Sequence, residues 1–387
     1  MQRRYFDWAA SSPPDGEILA RSLKTSLELF GNPSSRHRDG RLAREALENA
    51  RSRIASVLAV PPKTVLFTSG GTEADQLVIL SLLRPSTASV PPPGLLVSAI
   101  EHPAVSECAA LLARAGRQVS VVRCGRDGRV SPDDLTSAIS RAENPRMAAV
   151  MAVNNETGAV NDIPALVRAA RQARPGLRFH CDAVQAAGKI PLDFAGWDVD
   201  SACISAHKFG GPRGFGILYA RREFDTLSAG GGQENGMRSG TENLFGALAT
   251  AETLELYASR EVVERNAAGA RRLGARLVAA LRKFDRCSLI PSDRHDEDGR
   301  FVPHILLASF RGIPGEVMAR VLDDRGFSVS TGSACASSSD KHPALEAMGI
   351  AGKTAFETIR ISFGPSTSEE DVDALIRAVE GILKELP

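Results

Sequence analysis

From about residue 63 to residue 220 the chain alternates short apolar runs with stretches of helical periodicity. The runs "TVLFTSG", "GLLVSAI", "QVSVVRC", "RMAAVMAV", "LRFHCD", "DSACIS" and "GFGILYA" are near-continuous in apolar character, which predicts strands buried on both faces. Helices are predicted from Thr72 to about Leu83 and over "PAVSECAALLARAG", "SPDDLTSAIS" and "IPALVRAARQAR". Ser131 and Asp134 suit a capping box at the start of "SPDDLTSAIS". This alternation implies a mostly parallel sheet flanked by helices, a fold in which ligands bind beyond the carboxyl ends of the strands.

After Glu242 a long helical pattern runs through "ALATAETLELYASREVVERNAAGARRLGARLVAALRKF" into a smaller unit. That unit carries predicted strands "HILLASF", "FSVSTG" and "TIRISFG", with helices over "PGEVMARVLDDRG" and "SEEDVDALIRAVEGILKEL". At 387 residues the chain is long for one core, so two α/β domains are expected: a large one over 16–255, and a small one formed by 1–15 with 256–387. The stretch "RPSTASVPPPG" reads as a surface excursion within the first.

Composition narrows the function classes. Lys and Arg total 47 against 46 acidic residues, a balance that argues against a broad nucleic-acid or anionic-membrane footprint. The start, "MQRRYFDWAA", lacks the apolar core of a secretory signal, and no apolar run approaches a membrane span, so a soluble cytoplasmic protein is expected. The six cysteines form no C-x-x-C pair and no cluster with histidines, which excludes the usual zinc and disulfide patterns. Five lie in or beside apolar stretches, where inert packing is expected. Cys335 instead sits in "STGSACASSS", a run of small and polar residues that offers a thiol no core.

Several chemically capable residues fall at predicted strand ends. Lys208, in "SAHKFGG", follows a buried strand and is flanked by Ser205, His207 and glycines that allow close backbone approach. Asp182, in "FHCDAVQ", closes the preceding strand 26 residues earlier. An aldehyde cofactor such as pyridoxal phosphate requires a lysine for a Schiff base and an acid for its pyridine nitrogen, and this ordered pair meets both needs. By residue type alone, a solvated lysine and a turn aspartate are the commoner outcomes. "TSGGTEADQ" supplies Gly71 and Thr72 at a helix start suited to phosphate, and is neither G-x-G-x-x-G nor a Walker A sequence. His102 and Asn155 close two further strands, and Arg360 lies within the strand "TIRISFG", by type alone a surface strand residue. Arginine is the natural bidentate partner of a carboxylate.

Taken in order, "FDWAASSP", "GNPSSRHRDGR", "FTSGGTEADQ", "EHPAV", "VNNETGAV", "HCDAVQAAGK", "SAHKFGGPRGFGILY", "GGGQENGMRSGTEN", "STGSACASSS" and "IRISFGPST" resemble the cysteine desulfurases of the long-loop type. These are pyridoxal-phosphate enzymes of the class V aminotransferase group with the fold-type I architecture, whose large domain holds a mostly parallel seven-stranded sheet. The resemblance implies that Lys208 holds the cofactor, Asp182 pairs with the pyridinium nitrogen, Gln185 bonds the ring hydroxyl and His102 stacks on the ring. It further implies that Gly71, Thr72, Ser205 and His207 bind the phosphate, that Thr241 reaches the phosphate of the other subunit of a homodimer, and that Asn155 and Arg360 hold the substrate carboxylate.

The implied reaction takes L-cysteine to L-alanine. Lys208 moves the α-proton, His102 exchanges a proton near the substrate thiol, and Cys335 takes the sulfur as a persulfide, its thiolate being the nucleophile. The sulfur then passes to an acceptor protein, an iron–sulfur scaffold or another sulfur carrier such as one serving tRNA thiolation. Selenocysteine lyase, transaminase and desulfinase activities share this scaffold but do not require a cysteine at 335. A cofactor-binding scaffold that only docks partners would turn over no cysteine. The small residues around Cys335 imply a mobile shuttle between cleft and partner.

Overall fold

The structure is a computed structural model that describes residues 3–83, 92–294, 299–332, 342–350 and 352–386. The chain opens with β1 (Arg4–Tyr5), α1 (Gly16–Glu28) and α2 (Arg38–Val57). The alternation follows: β2 (Val65–Thr68), α3 (Gly71–Ile79), β3 (Gly94–Ser98), α4 (Pro103–Arg114), β4 (Val119–Val122), α5 (Pro132–Arg141), β5 (Pro145–Ala149), α6 (Ile163–Ala173), β6 (Arg178–Asp182), β7 (Ser201–Ser205) and β8 (Gly216–Ala220). Helices α7 (Leu244–Ala258) and α8 (Arg260–Leu281) lead to β9 (Cys287–Ile290), β10 (Ile305–Phe310), α9 (Gly315–Asp324), β11 (Phe327–Ser328), α10 (Pro343–Ala347), α11 (Lys353–Phe356), β12 (Thr358–Ser362) and α12 (Glu369–Glu385).

Strands β2 to β8 form one seven-stranded sheet in the order β2-β8-β7-β6-β5-β3-β4. β8 pairs antiparallel with both neighbours and every other pairing in the sheet is parallel, so the carboxyl ends of the other six strands share one edge. The period-2 geometry of a strand sorts its side chains between two cores. Val65, Phe67 and Leu96 pack with α2, α5, α6 and α7, whereas Leu66, Leu95 and Val97 pack with α3 and α4. Helix starts are set locally. Asp15, Ser131, Asp162, Asn243 and Ser368 each accept a backbone N–H from the turn they open. Ser131 caps α5 as expected, but the Asp134 carboxylate meets the Ser131 hydroxyl at 2.5 Å, and the reciprocal capping box forms instead at Ser368 and Asp371 of α12.

The second core gathers Phe6 with apolar residues of α8, α9, α12, β10 and β12 around an antiparallel sheet in the order β12-β10-β9. The long helical pattern divides at Ser259, whose extended backbone (φ −62°, ψ 149°) ends α7 and starts α8. "FSVSTG" keeps only two strand residues, because its partner is the two-residue β1, with which it pairs in parallel. Helices α1 and α2 and strand β9 lie outside the elements read from the sequence pattern. The predicted helix from Thr72 begins at Gly71 and tightens to a 3₁₀ turn over Leu80–Leu83. The surface excursion "RPSTASVPPPG" falls largely outside the described residues. Among the described residues no helix is long and apolar enough to cross a membrane.

Edge strand β2 is closed by a buried ion pair. The Arg51 guanidinium meets the Glu234 carboxylate through two bonds of 2.7 and 2.8 Å, and also donates to the Val65 carbonyl. Glu234 accepts the Phe67 N–H at 2.8 Å, which satisfies an outward-facing donor of an edge strand. Removing one partner of such a pair strands the other charge away from water. Glu234→Ala is therefore expected to destabilise the protein by about 3–5 kcal/mol, read as a lowered midpoint of urea unfolding.

Candidate active site

Five strands of the shared edge run out into one cavity of about 250 Å³. The turn after β2 brings Gly71, Thr72 and Asp75; the turn after β3 brings His102; the segment after β5 brings Met151 and Asn155; β6 brings Asp182, with Val184 and Gln185 just beyond; β7 brings Ser205, with His207 and Lys208 following. Arg360 arrives from β12 of the second core, and Ala9 and Ala10 arrive from the N-terminal segment. Ten of the predicted site residues thus line one cavity. Thr241 does not: it is exposed on the loop before α7 and outside this cavity. Cys335 lies outside the described residues, as does the expectation that its loop is mobile.

Lys208 Nζ donates to the carbonyls of Ala9 at 2.7 Å and Ala10 at 2.9 Å. The same Ala9 carbonyl accepts Gln185 Nε2 at 2.7 Å. These backbone acceptors carry no side-chain signature, and the sequence reading assigned them no role. Arg360 is held on both terminal nitrogens, by the Asn155 carbonyl at 2.9 Å and Asp7 Oδ1 at 2.8 Å, while its Nε is buried without a partner.

Burial governs the titrating groups. It pushes the Asp182 carboxyl up to about 6, reinforced by the nearby Asp75 charge and opposed by His102 and the Val184 N–H. Burial lowers His102, with Asp182 pulling upward and Lys208 pushing further down. His102 is the N-cap of α4 and its Nδ1 accepts the Ala104 N–H at 3.1 Å, so the neutral ring carries its proton on Nε2. His207 falls to about 4 through burial and then the charges of Lys208, Arg213 and Lys189. Burial likewise keeps Glu101, beside His102, well above the usual carboxylate range.

The five described cysteines form no disulfide, and burial raises their thiols, Cys108 and Cys124 to about 11 and Cys287 to about 12. That fits inert packing for these three. Cys203 is more than packing, because its thiol donates to Asp75 at 2.9 Å. Two other hollows carry few of the predicted residues. One of about 660 Å³ lies at the opposite end of the sheet and takes Arg146, Arg178 and Arg222. One of about 340 Å³ shares Lys208 with the cavity and is lined by Lys189, which burial and the charges of Lys208 and Arg360 push down to about 7.

The donor set fits pyridoxal phosphate. Helix α3 starts at Gly71 with no side-chain cap on its N-terminal N–H groups, and Gly71 and Thr72 of its first turn line the cavity together with Ser205. Gly71 is required there, since a Cβ would lie 2.6 Å from Val184 Cγ2. Gln185 Oε1 is buried with no partner. Asp182 is a buried acid that needs a cation opposite it.

Residues 4–375 match the class-V aminotransferase family, and the chain belongs to this family of pyridoxal-phosphate enzymes. Within it, curated relatives include cysteine desulfurases. The chain is 37% identical over 384 residues to the cysteine desulfurase IscS of Anaeromyxobacter sp. (strain Fw109-5), covering 97% of this chain and 91% of that relative. It is 35% identical over 395 residues to IscS of Azotobacter vinelandii, covering 99% and 94%. Among solved structures, a NifS-like protein superposes with a TM-score of 0.89 at 32% identity over the whole of both chains. The protein SspA, solved in complex with cysteine, superposes at 0.78 with 27% identity, covering 94% of this chain and 100% of that one.

The raised Asp182 pKa has a cost in the protein without cofactor. Native protein keeps this proton between about pH 4 and 6, where the unfolded chain has lost it, so stability falls as pH rises through that window. Asp182→Asn is expected to stabilise the apoprotein by about 2–3 kcal/mol above pH 6 and by nothing below pH 4. Urea unfolding at both pH values checks this, and the same variant is expected to lose its hold on pyridoxal phosphate.

Proposed function

We propose that this protein is a cysteine desulfurase that converts L-cysteine to L-alanine and carries the sulfur as a persulfide on Cys335. The observation that carries this reading is the convergence of Lys208, Asp182, His102 and Arg360 on one cavity, in a chain more than a third identical to IscS proteins. When bound, pyridoxal phosphate supplies an electron sink for the pair released at the substrate Cα. Lys208 is the residue that would hold it. Asp182 would face its pyridine nitrogen, Gln185 its ring hydroxyl and His102 its ring, while Gly71, Thr72, Ser205 and His207 would face its phosphate.

The protein's own groups do the rest. Arg360 turns its guanidinium to the substrate carboxylate with Asn155 beside it, and Asp7 holds that guanidinium in place from behind. Lys208 Nζ takes the Cα proton. His102 Nε2 is the ring nitrogen left to exchange a proton with the substrate thiol, because Nδ1 is spent on the helix cap. The Cys335 thiolate attacks the substrate sulfur: an S–S bond forms, the Cβ–S bond breaks, and its electron pair remains with the carbon skeleton that is protonated to alanine. The persulfide sulfur then passes to an acceptor protein. Iron–sulfur cluster assembly is the destination we assign, in keeping with the IscS relatives. Thr241, exposed and outside its own chain's cavity, serves the phosphate of the other subunit in a homodimer.

Lys208→Ala is expected to abolish the visible absorbance of the bound cofactor after gel filtration. An unchanged spectrum would remove Lys208 from its role. Cys335→Ser is expected to keep that absorbance and bind L-cysteine while releasing no sulfide. Full sulfide release would sink the persulfide mechanism, whereas continued selenide release from selenocysteine would separate the two substrates. Arg360→Lys is expected to raise KM for L-cysteine about tenfold or more with a smaller change in kcat, since a point charge replaces a bidentate fork.

A further inference from the structure

Beside the cavity, whose wall includes Asp75, lies a buried network that the proposed chemistry does not use. Asp75, in the second turn of α3, accepts two donors on one oxygen: His180 Nε2 at 2.9 Å and the Cys203 thiol at 2.9 Å. His180 Nδ1 meets Ser201 Oγ at 2.8 Å, and with Nε2–H committed to the carboxylate the serine hydroxyl is the donor there. The Cys203 sulfur also stands 3.7 Å from Asp182 Oδ1, so one thiol lies between two carboxylates. Asp75 is 1% exposed and His180 and Cys203 are 0% exposed, which shuts water out of all three contacts. By residue type Asp75 reads as a helix-start acid, yet its side chain turns away from the α3 N-terminus and into the sheet.

These three residues come from three elements. Helix α3 offers its uncapped N-terminus to the cavity, β6 ends in Asp182, and β7 ends in Ser205. A single carboxylate thus ties the element facing the phosphate to the two strands that carry the pyridine acid and a phosphate hydroxyl. Removing it would loosen the spacing between both ends of the cofactor. Its charge matters as well. Two buried carboxylates side by side are costly unless a cation joins them. The donors that meet them are His180 and Cys203 at Asp75, and the Val184 N–H with Cys203 at Asp182.

We propose that Asp75 is a positioning residue of the cofactor site, tying α3 to β6 and β7 through His180 and Cys203 and keeping the pyridine end electronegative so that a protonated ring is favoured there. The groups facing Asp182 are Asp75 from α3, Glu101 and His102 from the turn after β3, His180 and Cys181 from its own strand, and Cys203 from β7. Among these Asp75 contributes the strongest charge effect on Asp182, in the direction that favours a proton shared at this end.

This inference rests on the pyridoxal-phosphate reading, and spectra of the holoenzyme separate the two. Asp75→Asn keeps the shape and deletes the charge. It is expected to retain the cofactor's visible absorbance, to lower its pH midpoint by roughly half a unit or more, and to weaken cofactor binding about tenfold on dialysis, because losing a nearby negative charge makes protons easier to release. A midpoint unchanged from wild type, in a variant that still holds cofactor, overturns the role of Asp75. A purely structural role would weaken binding without moving that midpoint. Where Asp75→Asn gives no folded protein, Cys203→Ala carries the test. It keeps both charges and deletes the bridging thiol, so binding should weaken at least threefold with no fall in the midpoint; unchanged binding overturns the proposal. Wild-type protein that takes up no cofactor absorbance would instead overturn the reading on which the inference rests.

Discussion

A carboxylate cut off from water is the constraint on which this site depends. Asp182 closes a strand buried on both faces, and the interior offers it one backbone N–H and a distant thiol in place of solvent. Such a group is tolerated where a positive partner is to arrive. The price is visible in its raised proton affinity. Its surroundings follow the same logic: a histidine committed to a helix cap and held neutral, a second acid beside it, and a lysine kept within reach of backbone oxygens. The parts form a mould for a dipolar group with a cationic ring and an anionic tail.

The sheet supplies the mould with its geometry. Because all strands of the main sheet but β8 run the same way, their ends emerge on one side, and the ends of five of them or the segments just after reach a common cavity. The second core adds what the sheet cannot. Arg360 leans over the cavity from β12, steadied by Asp7 of the N-terminal segment. The cavity thus forms where two cores meet, with strand ends of the main sheet lining most of it and the second core adding Arg360.

Much of this was legible in the sequence, and the gaps have physical causes. Lys208 and Asp182 announce themselves as polar residues at the ends of apolar strands. Gly71 and His102 are marked by the turns they open. The carbonyls of Ala9 and Ala10 leave no trace in residue type, since every residue has one. Asp75 was hidden for the opposite reason: an acid near a helix start has an ordinary explanation, and only the tertiary fold shows its side chain reaching His180. The break between α7 and α8 was invisible because Ser259 sits in a sequence of strong helix formers, where the backbone bends without glycine or proline. Two-residue strands such as β1 and β11 have no period to read.

The N-terminal segment has a consequence for how the molecule is made. Between Arg4 and Ser12 it pairs with β11, buries Phe6 in the second core, bonds Ser362 and lends its carbonyls to Lys208. Its docking sites lie far along the chain: the Ala9 N–H bonds Ser362 Oγ across 353 residues. The sheet and its strand ends assemble from contacts closer in sequence, whereas this strap waits for β11 and β12 to emerge. The cleft therefore cannot close before β11 and β12 are made, and a chain still lacking them cannot place the Ala9 and Ala10 carbonyls beside Lys208.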